Sequence, residues 1–546
     1  MQCPAAAAMG RRRRPLAGRA ARRAAGLWPG AVALGAGLAA AATARPGGRT
    51  AFLQPGTAAG PRARPRTGAL AGVHPGAGLA SGSTTAGLVE PGRPPIYGMG
   101  LAAAASAALA AGTRRHRSGH STGAVSTSAE GGKADAAEPP PKPKKVRITA
   151  FDSIRFFLIT YIVCGHFVSF AAPSAFAFRA VTQINVVVGA FFALSGYVAA
   201  YTSTENAERA ASPKLLGTPP PKWALQRIFG YYPLHLLALV LFAPLFIYPD
   251  VLFSGLPTAI GNGLLALTMT QAWFPMHAEV WNAPTWFLSA LTFAMVVLPY
   301  ALRVLAKQSK PELRRTAGFL FLVGLLPKLG YCYDHNAWWL LEGALAPRAM
   351  PNLAIFNSQR FNPFYAVIEV LLGVVACRLV MLDGAKDEEE APKTGSASVL
   401  LPLVGMAGVI LLRATGVLAL SDMLTRAVIF IPLFLLFLMA AHRASVLPKV
   451  QDPIVKLLSS KLLVTFGGLS FPMFIIHGPI GQLFYKKIIA TKLWGGPLHV
   501  VCGPWFFYVY LALVLGSAWL IQKTFLSSKK VGSLSKAVVG RLCKAF

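Results

Sequence analysis

From residue 148 to about residue 525, apolar runs recur between short loops rich in Pro, Gly, Lys and Arg. Each run is roughly 18–25 residues long, enough for a helix to cross a hydrocarbon layer of about 30 Å. Inside that layer every backbone N–H and C=O must be paired within its own segment, which leaves helices as the elements that such runs can form. The expected fold class is therefore all-α, a polytopic transmembrane helical bundle. Composition agrees. The chain is 54% hydrophobic and only 13% charged, where soluble domains carry about 25% charged residues.

Candidate spans fall near 151–171, 183–203, 224–247, 251–273, 284–305, 316–331, 363–382, 398–417, 424–441, 461–483 and 499–523. Basic residues cluster at Lys142–Arg147, Arg209–Lys222, 303–315 and 443–461, and the positive-inside rule places such clusters on one side. All of them reach that side if 251–273, with Pro257, Asn262, Thr268 and Thr270, is a re-entrant or interfacial element. The expectation is thus about ten spans. Lys486, Lys487 and Lys492 fit this arrangement least well.

The net charge of +33 does not point to nucleic acid. About half of it lies before residue 146, and most of the rest sits in the loops, with no basic stripe interleaved with aromatics. The six cysteines, Cys3, Cys164, Cys332, Cys377, Cys502 and Cys543, show neither C-x-x-C pairing nor metal-ligand spacing. No disulfide framework and no metal site is expected.

Residues 1–117 read as a targeting presequence. "RRRR" at 11–14 precedes an apolar run ending in Ala42-Thr43-Ala44, the layout of a secretory signal peptide. Residues 45–89 lack Asp and Glu but carry Arg, Ser and Thr, a transit-like composition. A second apolar segment, 96–112, is followed by Arg114, Arg115 and Arg117. This order resembles presequences addressed to plastids enclosed by extra membranes, with an endomembrane or plasma-membrane destination as the alternative. An Ala/Arg-rich N-terminus without an address is the plainer reading. Residues 118–147 read as a disordered linker, 148–525 as the membrane domain and 526–546 as a basic tail.

"FDSIRFFLITYIVCGHF" (151–167) places Arg155 and His166 eleven residues apart. On a helix they share one face, roughly 16 Å apart along the axis. Arg155 then lies near the basic boundary and His166 near mid-membrane. An ionisable side chain at that depth must face a partner or a polar cavity; a neutral histidine that only ties helices together is the alternative. Further polar groups stand in other runs: Ser195 and Gly196 in "FFALSGY", Arg227, Tyr231 and His235 in "QRIFGYYPLH", Trp286 and Ser289 in "NAPTWFLSAL", Glu369 in "NPFYAVIEVLLG" and His477 in "FGGLSFPMFIIHGPI". Singly each has a structural reading. Ser195 and Gly196 suit close helix packing, Trp286 an interfacial belt, His235 a helix tie, and Glu369 a lock against a histidine or Arg227.

In this order the motifs resemble those of the acyltransferase-3 superfamily, ten-span membrane O-acyltransferases that modify hydroxyls on glycans and other acceptors. "FDSIRFFLITYIVCGHF" is similar to the family's L-D-G-L-R opening with its later His, "FFALSGY" to F-F-x-L-S-G-[FY], and "GYYPLH" to R-I-Y-P-L-[YH]. "NPFYAVIEVLLG" and "GGLSFPMFIIHGPI" are similar to its N-P-x-x-R-x-P-E and G-x-I-S-Y-x-x-Y-x-x-H-x-P elements. Gly230, Leu291 and Ala366 depart from the pattern, standing where the family has a second Arg, an acidic residue and an Arg.

The resemblance implies transfer of acetyl or another short acyl group from an acyl-CoA-like co-substrate to a hydroxyl, with no bound cofactor or metal. His166 is the expected base, because a hydroxyl is a poor nucleophile until its proton is taken; carrying the acyl group transiently is the other role open to it. Arg155, which the resemblance places with His166 among the catalytic residues, and Arg227 are expected at the donor's phosphates. Ser195, Tyr231, Trp286 and Ser289 are expected near donor or substrate, the first three as donor types for the developing oxyanion. Asp152, Glu369 and His477 are given supporting roles. A solute permease and a non-catalytic membrane scaffold are the alternative classes. The bilayer, the acyl donor and a hydroxyl-bearing acceptor are the expected partners, and the oligomeric state is not readable.

Overall fold

The computed structural model describes residues 145–205, 211–344, 349–383, 397–446 and 452–545. The presequence at 1–117 and nearly all of the 118–147 linker lie outside the described residues. Among the described residues the elements are helices, and pairing between extended segments is confined to an isolated bridge of Thr204 with Ala211.

The helices used below are α1 (Ala150–Phe167), α2 (Gly189–Ser203), α3 (Pro220–Ile228), α4 (Tyr232–Leu241), α5 (Ala243–Ser254), α6 (Leu256–Thr268), α7 (Trp286–Leu305) and α8 (Lys310–Asp334). They continue with α9 (Leu353–Phe361), α10 (Pro363–Asp383), α11 (Ala397–Thr415), α12 (Ile431–Val446), α13 (Lys461–Gly467), α14 (Ser470–Tyr485), α15 (Phe506–Ile521) and α16 (Lys529–Ala545).

Seven segments are long and apolar enough to cross a membrane, or nine when each of two bent pairs is counted as one span. The protein is an integral membrane helical bundle, with fewer spans among the described residues than the ten expected. The shortfall has local causes. The run at 224–247 is cut twice: α3 and α4 meet at a 41° bend around Gly230, and α4 stops at Phe242 before α5 begins. The run at 461–483 is bent by 51° between α13 and α14. Apolar α11 is a shorter helix. The 251–273 stretch forms no span. Gly255, at φ +81°, turns α5 back onto α6, and Asn262 Nδ2 and Trp281 Nε1 both donate to Asp250 Oδ2 at 3.0 Å.

Helix α10 is the hub, with 83% of the apolar window of its span buried, against 17% for α15. It meets α2 backbone to backbone. A Cβ on Gly196 would lie 1.8 Å from Val370 O, and one on Gly373 would lie 1.9 Å from Ala193 O. Small residues permit such approach between membrane helices, where close packing takes over the role that hydrophobic burial plays in water. The packing role of Gly196 is thereby accounted for. Against this hub lie α7, α8 and α12, while α1 packs on α13 and α14, and α14 on α15.

The basic loops gather at one end. Asp383, at the end of α10, pairs with Lys310 Nζ at 2.8 Å and Arg443 Nη2 at 2.9 Å. Arg303 donates to the carbonyls of Leu215 and Thr218 at 3.3 Å each, and Lys145 donates to Tyr201 O at 2.8 Å. The N-terminus of α1 lies at this basic end, so α1 carries His166 toward the opposite end.

Candidate functional site

The predicted histidines meet. His166 stands in the last turn of α1, not at its middle, and His477 near the centre of α14. His477 Nε2 lies 3.2 Å from His166 Nδ1, with ring centroids 5.2 Å apart. His477 is completely buried, whereas His166 is exposed.

The hydrogen bonds around the pair fix its protons. His477 Nδ1 lies 3.1 Å from Met473 O and 2.8 Å from Phe474 O, one turn back on its own helix. A carbonyl can only accept, so Nδ1 of His477 carries a hydrogen and donates it. In the neutral ring Nε2 is then a bare acceptor. Its neighbour, Nδ1 of His166, must supply the hydrogen between the rings. That leaves Nε2 of His166 as an unprotonated nitrogen on the exposed ring. The second histidine thus leaves His166 with an unshared nitrogen lone pair, the form that a general base requires.

Local sequence explains why His477 is rigid. Pro479 has no N–H, so the carbonyl of Ile475 loses its helical partner, and Asn282 Nδ2 donates to it at 2.9 Å. Gly478 lets that loop come in: a Cβ there would meet Asn282 Oδ1 at 2.8 Å. Tyr510 of α15 donates its hydroxyl to His477 O at 3.2 Å.

The other expected residues are distributed as follows. Arg155 Nη1 donates to Asp152 Oδ1 at 3.0 Å, and Arg147 Nη2 to Asp152 Oδ2 at 2.8 Å, both at the basic end of α1. Arg227 packs over the Trp223 ring at 4.6 Å, with Nη2 3.4 Å from Thr202 Oγ1. Ser195 donates to Phe191 O at 2.7 Å, Tyr231 and Thr292 share a hydrogen bond of 2.9 Å, and Ser289 Oγ accepts from Ala272 N at 3.1 Å. None of these three hydroxyls is hydrogen-bonded to the histidine pair. Trp286 is 6% exposed and therefore no belt residue; its ring lies 4.9 Å from that of Phe361 and 6.3 Å from that of Phe192. His235 Nε2 donates to Ala266 O at 2.9 Å, tying α4 to α6.

Glu369 is the main correction. Its partner is neither a histidine nor Arg227 but Arg426, which donates through Nε to Oε1 at 2.7 Å and through Nη2 to Oε2 at 2.5 Å. Arg426 sits in a π-helical stretch, Thr425–Phe430, whose wider turn re-aims side chains relative to the α-helix that follows. The signal in the sequence was an arginine and a glutamate in two separate apolar runs, each too costly to stand alone.

Sequence reasoning also missed Arg360. It lies 2.8 Å from Glu342 Oε1 and 3.1 Å from Glu279 Oε1, and donates through Nε to Asn185 Oδ1 at 3.0 Å. Arg360, Glu342, Asn185, Glu369, Arg426 and Trp286 border a cavity of about 20 Å³, room for about one water. Phe474, Phe287 and Phe192 form a continuous line of ring contacts between His477 and the Trp286 wall of that cavity.

Burial pushes the Glu342 carboxyl up to about 8, against the pull of Arg360. An unfolded glutamate titrates at about 4.3, so between these values the folded chain retains a proton that the unfolded chain has lost. This contribution to stability is complete below the unfolded value and is lost as pH rises through the folded one. Glu342→Gln is expected to remove that slope: the wild-type thermal midpoint falls from about pH 5 to pH 8, and the variant's falls less.

No metal-ligating cluster of His, Cys, Asp or Glu occurs among the described residues. No curated protein and no solved structure matches the chain. The family model described as an acyltransferase domain, that of acyltransferase-3, matches residues 148–523, which takes in both histidines, Arg155, the α2–α10 hub and the Glu369–Arg426 pair. The chain belongs to the acyltransferase-3 family.

Proposed function

We propose that this membrane protein is an O-acyltransferase that moves a short acyl group from an acyl-CoA-like donor to a hydroxyl of a glycan, lipid or small metabolite. The observation that supports this most is the 3.2 Å approach of His166 Nδ1 to His477 Nε2, which leaves Nε2 of the exposed His166 ring unprotonated. The acceptor hydroxyl gives its proton to His166 Nε2 as its oxygen attacks the thioester carbonyl. The imidazolium so formed is stabilised through Nδ1–H by His477 Nε2. Collapse of the tetrahedral intermediate breaks the C–S bond, and the departing thiolate takes the proton back. The ester and the free thiol leave together, and His166 is returned to its starting form.

Arg155, with a side chain 33% exposed, and Arg227 are the candidates for the donor's phosphates at the basic end. Phosphate binding by Arg rests on charge-assisted hydrogen bonds, each contributing about 1.5–3 kcal/mol. The signal and transit-like presequence supports delivery to a plastid membrane.

The test is acyl transfer from radiolabelled acetyl-CoA by purified protein in liposomes. Label is expected on hydroxyl acceptors, and Arg155→Gln is expected to raise the donor KM about 10- to 100-fold with turnover at saturation largely kept. Solute crossing the liposome membrane with no labelled acceptor would point to transport instead.

A further inference from the structure

Helix α16, KKVGSLSKAVVGRLCKA, is expected from its sequence only as a basic tail, yet it is a 17-residue helix without an acidic residue. Its two sides differ. Val531, Ser535, Val538 and Val539 turn toward the body, where α16 packs against α3, and Val539 is only 5% exposed. Lys529, Lys530, Lys536, Arg541 and Lys544 are all exposed. At 100° per residue these five fall within an arc of about 140°. Gly540, which falls within that arc, has open space where a Cβ would stand.

The position of this face is set by the span before it. The apolar segment Phe506–Leu526 ends only Ser527 and Ser528 short of Lys529, a link of about 10 Å even when fully extended. Near that end Lys523 Nζ lies 4.7 Å from the Trp519 ring centre, and Trp519 is 50% exposed. A tryptophan and a lysine side by side at the end of a span mark headgroup depth. The five cations therefore begin within the headgroup layer, at the end where the other basic loops collect.

We propose that the exposed face of α16 binds the headgroups of anionic phospholipids. A cationic face fixed at headgroup depth is drawn to anionic lipid, and the attraction falls off within a Debye length. A soluble acidic partner would have to compete with lipid that the span already places beside these residues. Because α16 rests on α3, the helix that bears Arg227, the lipid contact adjoins the basic end of the bundle without depending on any chemistry there.

The test is hydrogen–deuterium exchange of the full-length protein in nanodiscs of phosphatidylcholine, with or without about one third phosphatidylglycerol. Amides of residues 529–545 are expected to exchange about tenfold more slowly in the anionic discs, while those of α10 are unchanged. Raising the salt should abolish the difference in the wild-type chain, and replacing all five basic residues by Gln should do the same. Equal exchange in both discs would overturn the proposal. So would slowing that follows protein concentration instead of lipid charge, since the occupant would then be a second copy of the chain.

Discussion

His166→Gln is expected to lower acyl transfer by about 10²- to 10⁴-fold, the span attributed to a positioned general base, while the thermal midpoint stays close to that of the wild type. The two halves of this expectation have separate grounds. The glutamine amide keeps a donor for the bare nitrogen of His477, so the buried partner is not orphaned, and the exposed ring edge of His166 contributes little packing. What is lost is the nitrogen proposed to accept the hydroxyl proton. His477→Gln should cost less, because the base remains and only its tautomer and angle are released. Comparable losses in both variants would mean that the two rings act as one unit, since residues of a unit are not additive. Retained turnover in purified His166→Gln protein would remove His166 from the chemistry.

The second large effect concerns the fold. Breaking the Glu369–Arg426 pair from one side, by Glu369→Leu or Arg426→Met, is expected to destabilise the bundle by about 3–5 kcal/mol, because an uncompensated charge is left buried. The double variant should recover most of that loss, since removing both charges also removes the desolvation cost of each. Unfolding of the four proteins in detergent gives the coupling energy directly. Additive losses would show that the two groups do not depend on each other, contrary to the bidentate geometry of 2.5 and 2.7 Å.

Much of the bundle was legible because apolar length and loop charge are properties of single segments. Helices α1, α7, α8 and α10 fall where the runs predict them, and the basic clusters do collect at one end. The breaks were harder to see. Gly230 and the Gly467–Gly468 pair interrupt runs that are predominantly apolar on both sides of the break, and composition alone does not register a bend.

The candidate site shows the same division. Arg155 and His166 belong to one helix, so their spacing along the axis was calculable from the sequence. The partnership of His166 with His477 spans 311 positions, and that of Glu369 with Arg426 spans 57. Pairings of this kind are decided by which helices touch, and no periodicity within one helix encodes them. Arg360 escaped notice because it precedes the apolar run of α10 and reads there as a boundary residue, yet α9 folds it in against Asn185 and two carboxylates.

The unprotonated Nε2 assigned to the exposed His166 is open to one direct measurement. Diethyl pyrocarbonate acylates an accessible, unprotonated imidazole nitrogen, and peptide mass spectrometry reports which histidine has reacted. The tautomers of the pair predict rapid modification of His166, slow modification of the buried His477, and loss of acyl transfer in step with the first. Protein fully modified at His166 that still transfers acyl groups at the native rate would contradict the account.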